Sequence, residues 1–161
     1  SDVLKDTASE AVAQLKKLGV KKIVLLTGDT KESALPVAHS AGIDEVHASL
    51  LPAGKSSILS SIIAELEEKR SGTKRGARRG SVIFTGDGIN DSPVLALSDA
   101  GIAMGGLGSD AAIEASDIVI MNDDILKIPL AMRIARRTLA IVKQNIVFIL
   151  SAKAFVMSAR R

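Results

Sequence analysis

Apolar positions in the N-terminal half recur first at helical and then at strand-like spacing, and the two patterns alternate along the chain. Over residues 7–18 they are spaced three and four apart, which predicts a helix. Thr7 and Glu10 form a capping box at its start, and Gly19 stops it. Pro36 is expected to kink the second helix or delay its start. The same criteria predict strands at 22–26 and 45–48 and helices at 31–41 and about 52–66.

The C-terminal half continues the alternation as far as residue 121. The predicted elements are a strand that ends near residue 85, a short helix that opens at 92–93 and ends at 97, a strand at 100–104, a helix at 110–115 and a strand at 117–121. Strands and helices that alternate at this pace predict a parallel sheet wrapped by helices, with right-handed crossovers.

From Ile128 onward the pattern changes. Pro129 can start a helix, several basic residues follow, and residues 145–158 are almost wholly apolar apart from Lys153. That run of about fourteen residues is shorter than the roughly 20 needed to span a bilayer. The segment is therefore expected either to pack on the domain or to be part of a membrane helix.

Composition narrows the function classes. The 161 residues are 47% hydrophobic and 24% charged, as in one globular unit, but only 2% are aromatic, which argues against stacking on nucleic-acid bases. Cysteine is absent, so thiolate metal sites and disulfides are excluded. The excess positive charge is concentrated in residues 69–80, which read as a solvated loop, with nucleic-acid or anionic-lipid contact as the alternative. The N-terminal residues do not have the pattern of a signal peptide.

The most distinctive chemistry lies between Ser81 and Asp91. A β-branched and aromatic run ends there at a Gly-Asp-Gly turn that carries the carboxylates of Asp87 and Asp91 and the carboxamide of Asn90. Such loops lie at the carboxyl ends of parallel strands, where ligands bind. Hard oxygen ligands at this spacing suit Mg²⁺ and a phosphoryl group. A single Gly-Asp-Gly is also typical of an acidic turn that caps a helix.

Two other stretches extend this pattern. Thr27-Gly28-Asp29 closes a predicted strand in the same way. Lys55 lies in the first turn of a predicted helix, where a cation opposes the helix dipole and is tolerated more readily beside a bound anion.

In this order, the segments closely resemble motifs of the phosphorylation domain of P-type ATPases, a branch of the haloacid dehalogenase-like hydrolases. Thr27-Gly28-Asp29 is similar to the TGD loop of that family, residues 52–55 to its lysine motif and residues 85–93 to its GDGxNDxP signature. Residues 100–105 and 117–121 are similar to stretches that follow the signature. The resemblance covers nearly the whole chain. It implies an α/β fold, a haloacid dehalogenase-like Rossmannoid parallel sheet with flanking helices, followed by a C-terminal helix.

The resemblance also implies Mg²⁺ and ATP as cofactors and a role for each motif residue. Asp87 would bind Mg²⁺, and Asp91 would support the metal and its water shell. Asn90, Thr27 and the Gly28 amide would donate hydrogen bonds to the phosphoryl group. Lys55 would supply a point charge to the phosphate. Asp29 would lie at the edge of the site toward the nucleotide.

Residues 144–150, with Lys153 after them, resemble the start of the membrane helix that follows the phosphorylation domain in Zn²⁺/Cd²⁺-type pumps. In that resemblance Lys153 would be an intramembrane cation near the transport site, although a lysine there can equally snorkel to water. The implied organisation is a partial phosphorylation domain at 1–127 facing the cytoplasm, and at 128–161 a basic linker helix that runs into a truncated transmembrane helix.

One departure limits the implied activity. The nucleophile of the family lies in a DKTGT stretch, and these 161 residues contain none. The chain is therefore expected to be part of an ATP-driven heavy-metal pump, with the transported divalent metal and the nucleotide-binding, actuator and membrane domains as partners, to lack its nucleophile strand and to be inactive alone. The alternative is a free-standing, non-catalytic binding or regulatory module. A nucleic-acid-binding function is the weakest of the three hypotheses.

Overall fold

A computed structural model of the chain describes residues 2–71, 80–86, 89–105 and 110–159. The elements alternate as predicted, and one 3-10 turn at Ile89–Asp91 precedes the fourth helix. The helices are α1 Asp2–Lys17, α2 Lys31–Ala41, α3 Pro52–Ser71, α4 Ser92–Leu97, α5 Asp110–Glu114 and α6 Lys127–Ala159. The strands are β1 Val24–Leu26, β2 Glu45–His47, β3 Ile83–Gly86, β4 Ala100–Met104 and β5 Ile118–Ile120.

All strand pairs in the described ranges are parallel, which confirms the predicted α/β class. They form two ladders, β1-β2 and β3-β4-β5, where the sequence predicts one sheet. The reason is that β1 pairs only with β2 and β3 only with β4, and no ladder between described residues joins β1 to β3. Among the described residues, β1 and β3 are therefore each paired on one side only.

A repeated aspartate contact aligns neighbouring strands. The residue just before β2, β4 and β5 is in each case an aspartate whose carboxylate accepts the backbone N–H of a residue at the start of the neighbouring strand. The distances are 2.8 Å for Asp44 and Ile23, 2.8 Å for Asp99 and Val82, and 2.9 Å for Asp117 and Gly101. This contact fixes the register, so the loops at the opposite, carboxyl ends of the strands are also held in place.

The core lies between the larger ladder and the first turns of α6. Ile102, Ile120 and Ile128 form a buried aliphatic cluster, and Pro129 is among the most fully buried side chains. Burial of large aliphatic groups contributes about 1.5–3 kcal/mol each. The core is thus built from aliphatic side chains, in keeping with the low aromatic content of the chain.

The predicted start of α1 and the predicted end of α3 are wrong. Helix α1 begins at Asp2, so Thr7 lies inside it and does not cap it. Helix α2 has the predicted bounds, and Pro36 lies inside it without delaying its start. Helix α3 continues to Ser71 and so includes the first three residues of the stretch predicted as a basic loop, where Lys69 pairs with Glu65 one turn earlier at 2.6 Å. Most of that stretch, residues 72–79, lies outside the described residues.

The C-terminal segment is one uninterrupted helix, which corrects the expectation that the apolar run is too short to span a bilayer. Residues Lys127–Ser158 are long and apolar enough to cross a membrane, by length and composition. The apolar run and the basic segment before it belong to the same helix, so the length available is greater than the apolar run alone suggests. Its apolar part is not buried against the domain, which argues against the alternative that it packs there.

Asp44 gives the fold a measurable pH dependence. The hydrogen bond from Lys16, and after it the backbone N–H of Ile23, hold the pKa of Asp44 below its ordinary value. A carboxylate with a lowered folded-state pKa stabilises the fold above its unfolded pKa, and that contribution is lost as the pH falls through the folded pKa. Asp44→Asn should therefore lower the urea midpoint at pH 6, with the difference from the parent chain shrinking below about pH 4.

The matched control is Glu68→Gln, an exposed carboxylate on α3. We expect this substitution to leave the pH dependence unchanged. If the difference in urea midpoint between Asp44→Asn and the parent chain stays constant down to pH 3, the pH dependence does not come from Asp44.

Candidate functional site

The loop after β3 and the first turn of α3 meet at a buried ion pair. Lys55 Nζ donates to Asp91 Oδ1 at 2.7 Å, across 36 residues of sequence. The two side chains are 19% and 7% exposed. Among the described residues, Asp91 is the one polar or charged residue that is buried. The pair connects the half of the domain that contains β1 and β2 with the half that contains β3, β4 and β5.

Local geometry leaves the Asp91 carboxylate available for this contact. Asp91 ends the 3-10 turn and occupies the N-cap position of α4, but its side chain makes no capping hydrogen bond there. Pro93 lies in the first turn of α4, where a missing N–H costs nothing. The anion expected beside Lys55 to offset the dipole of α3 is therefore Asp91 itself.

Gly86 allows Asp91 to approach the end of β3. A Cβ atom built at Gly86 would lie 2.8 Å from Asp91 Cβ and 2.9 Å from Asp91 Oδ2. Real side chains do not tolerate such distances, so a larger residue at this position would displace the carboxylate. A glycine is therefore needed at position 86 for a steric reason: it leaves room for the Asp91 carboxylate that pairs with Lys55.

The loop after β1 is closed by its own side chains. Thr27 Oγ1 donates to Asp29 Oδ2 at 3.0 Å and accepts the Asp29 N–H at 3.1 Å. The N–H of Ser49 donates to the Asp29 carbonyl at 2.7 Å, and Ser49 has a φ of 56°, unusual for a residue other than glycine. The hydroxyl proton of Thr27 therefore points to Asp29, and donation to a phosphoryl group would require the hydroxyl to rotate.

Leu50 places this loop next to the N-terminus of α3. Its N–H donates to the Thr27 carbonyl at 3.0 Å, and its carbonyl oxygen lies 3.4 Å from the Cβ position of Gly28. Its side chain lies 3.5 Å from the Cβ position of Gly54, one residue before Lys55. Leu50 thus contacts both the TGD loop and the lysine motif and holds them next to each other.

The structure brings together some of the predicted site residues. Lys55 joins Asp91 directly, and Thr27, Gly28 and Asp29 form one closed turn that Leu50 connects to the start of α3. Asn90 is exposed beside Asp91. Asp87, the predicted Mg²⁺ ligand, lies outside the described residues. Lys153 is exposed near the far end of α6 and belongs to a separate region.

Sequence reasoning missed two residues that shape this region, Ser49 and Leu50. They sit between a strand and a helix, and they shape the region through backbone hydrogen bonds and the apolar side chain of Leu50. The positive φ of Ser49 has no sequence signal, because serine is rare in that conformation. The sequence also gives no sign that position 86 must be small to make room for Asp91, because the two residues are seen to be in contact only in the structure.

The carboxylate, hydroxyl and ammonium groups of this region are of the chemical types that bind Mg²⁺ and phosphate. Mg²⁺ is commonly held by one or two carboxylates together with phosphate oxygens and water, so a dedicated cage is not needed. No group of three or more His, Cys, Asp or Glu side chains that could hold a metal occurs in the described ranges. Asp91 supplies one buried carboxylate, while its bond to Lys55 makes it better suited to a supporting role than to direct ligation.

Comparison with known proteins agrees with the motif resemblance. A family model described as haloacid dehalogenase-like hydrolase matches residues 1–99. The chain is 48% identical over 157 residues to a cadmium, zinc and cobalt-transporting ATPase of Bacillus subtilis, covering 98% of this chain and 21% of that protein. It is 44% identical over 158 residues to a zinc-transporting ATPase of Synechocystis, covering 98% of this chain and 20% of that protein.

A solved structure supports the same relationship. The crystal structure of a zinc-transporting PIB-type ATPase superposes with a TM-score of 0.71 at 32% identity, over 86% of this chain and 20% of that chain. The chain spans about a fifth of the length of the curated relatives it matches. The resemblance to heavy-metal P-type ATPases predicted from the motifs is confirmed, and the chain belongs to the haloacid dehalogenase-like hydrolases.

Proposed function

We propose that this chain is part of an ATP-driven pump that exports Zn²⁺ or Cd²⁺, and that it supplies the Mg²⁺- and phosphate-binding loops of an aspartyl-phosphate site. The observation that carries the proposal is the buried Lys55–Asp91 pair, which fixes a cation at the carboxyl end of β3. The relatives named as metal-transporting ATPases cover nearly all of the chain, and this similarity supports the transport context.

In this proposal each residue has a task set by its position. Lys55 provides a point charge for a phosphoryl oxygen, and Asp91 holds the Lys55 ammonium group in place until the phosphate arrives. Thr27, the Gly28 amide and Asn90 donate hydrogen bonds to the same group. The assignments of Asp87 to Mg²⁺ and of Asp29 to the nucleotide side rest on the sequence motifs. Mg²⁺, when bound, would neutralise negative charge on the phosphoryl oxygens.

We assign residues 1–127 to a partial phosphorylation domain on the cytoplasmic side and residues 128–161 to a basic linker helix that continues into the membrane. The length and apolar character of α6 support this division. Lys153 would then lie at membrane depth, either near the path of the transported metal or snorkelling toward water.

A chimeric pump tests the proposal. Residues 1–161 replace the matching stretch of the Bacillus subtilis cadmium, zinc and cobalt-transporting ATPase, and metal-dependent ATP hydrolysis is measured in membrane vesicles. We expect the chimera to be active and Lys55→Met to lower its activity by roughly a hundredfold, because one preorganised charge at a transferring group is worth about that much.

Lys31→Met is the matched control, because Lys31 is also in the first turn of a helix that follows a strand but is exposed. We expect this variant to keep the activity of the chimera. A correctly inserted but inactive chimera would favour the free-standing binding module, and equal losses in the two lysine variants would remove Lys55 from the site.

A further inference from the structure

Helix α6 leaves the domain within its first two turns. Ile128 and Pro129 are buried, and Arg133 Nη1 donates to Gln14 Oε1 of α1 at 3.2 Å. From Arg133 to Ser158 every side chain is exposed. The described part of the domain therefore covers no face of α6 beyond its first two turns.

The stretch 133–143 has two distinct faces. At 3.6 residues per turn, its four basic residues fall within a sector of about 120°. We name this sector the basic face; it consists of Arg133, Arg136, Arg137 and Lys143. The opposite side is aliphatic and between 45% and 59% exposed, and consists of Ile134, Leu139, Ile141 and Val142. A helix that is basic on one side and aliphatic on the other is typical of a membrane interface.

The length of the helix beyond the basic face matches a bilayer. Thr138–Ser158 is about 21 residues, or about 31 Å at 1.5 Å per residue, close to the roughly 30 Å of a hydrocarbon core. This places the membrane boundary near Arg136 and Arg137. Lys143 lies about 9 Å deeper, but helical side chains lean toward the helix N-terminus, so its ammonium group can reach the same headgroup layer.

Charge decides which lipid this surface fits. The sequence from 127 to 159 contains basic residues and no aspartate or glutamate. Near an anionic leaflet each basic residue strengthens binding about fivefold, whereas a zwitterionic leaflet gives no such gain. We propose that the basic face binds the headgroups of anionic phospholipids and fixes the depth of α6 in the membrane. The inference rests on the proposed membrane assignment of α6 but not on the phosphate site, which is a separate surface.

Vesicle flotation tests the proposal on the full 161-residue chain, diluted from mild detergent. Binding is compared between vesicles of phosphatidylcholine and vesicles with roughly 30% phosphatidylglycerol. We expect tighter, salt-sensitive binding to the anionic vesicles. The triple variant Arg136→Gln, Arg137→Gln, Lys143→Gln should lose roughly a hundredfold of that affinity. Arg133 is left in place because it hydrogen-bonds to Gln14.

Two further variants make the test specific. Lys17→Gln, Lys21→Gln, Lys31→Gln removes the same charge from exposed positions on the domain and should leave binding unchanged. Arg136→Lys, Arg137→Lys should also bind normally, because a headgroup layer requires charge and not guanidinium geometry. Equal binding to both vesicle types, an equal loss in the domain variant, a loss in the lysine variant, or displacement from vesicles by duplex DNA at equal phosphate concentration would each overturn the proposal.

Discussion

Replacing Asp91 with leucine is expected to lower the free energy of unfolding by about 3 kcal/mol, because the change leaves the Lys55 ammonium group partly buried without its counter-charge. The side chains of the pair are 19% and 7% exposed, and water therefore screens this interaction less than a surface ion pair. Urea unfolding in mild detergent, followed by circular dichroism, gives the value.

A double-mutant cycle separates this interaction from simple loss of packing. Lys55→Met leaves Asp91 unpaired, whereas the double variant with Asp91→Leu leaves no buried charge. We expect the double variant to be more stable than the sum of the two single effects predicts, by about 1–3 kcal/mol. Additive effects would show that the two groups are close but do not stabilise each other.

The secondary structure was predictable where local signals are strong. Helix α2 and strand β4 have the predicted bounds; Gly42 in the left-handed conformation ends α2, and β4 is a short apolar run that stops at Gly105. The capping box at Thr7 failed because the residues before it, Asp2 to Asp6, are themselves compatible with a helix. Once a helix has nucleated, extending it by one residue costs little.

The site was predictable only at the level of loops. Parallel strands bring their carboxyl ends to one edge, so the loops after β1 and β3 could be assigned to a common region. The partner of Lys55 could not be assigned, because a cation in the first turn of a helix can face a bound phosphate or a carboxylate. Only the tertiary structure shows that Asp91 occupies that position.

The length of α6 was underestimated for a physical reason. The apolar run that the sequence shows, 145–158, begins after Lys143, so it leaves out the part of the helix that contains Arg136, Arg137 and Lys143. On a helix these residues lie on one side, and their long stems can carry the charge to a membrane surface. The aliphatic side continues past them, so the helix remains apolar along one face for much of its length.

The 161-residue chain alone is expected to hydrolyse no ATP above background, although it contains three motifs that resemble those of a phosphoryl-transfer site. Lys55 and Asp91 can stabilise charge, but a carboxylate must first attack the phosphorus. Asp91 is buried and bound to Lys55, and Asp29 accepts a hydrogen bond from Thr27. Neither is free to attack, and displacements of about 1 Å already cost a hundredfold in rate.

A peptide that contains the DKTGT segment should restore phosphorylation in trans if its strand pairs with the side of β1 or β3 that pairs with no described strand. The measurements are phosphate release and acid-stable incorporation of labelled γ-phosphate, with and without the peptide. The matched control is a peptide with asparagine in place of the DKTGT aspartate, which can complete the sheet but cannot accept the phosphoryl group. Turnover by the chain alone that disappears in Asp87→Ala would contradict the prediction, because it would mean that these residues already contain a nucleophile.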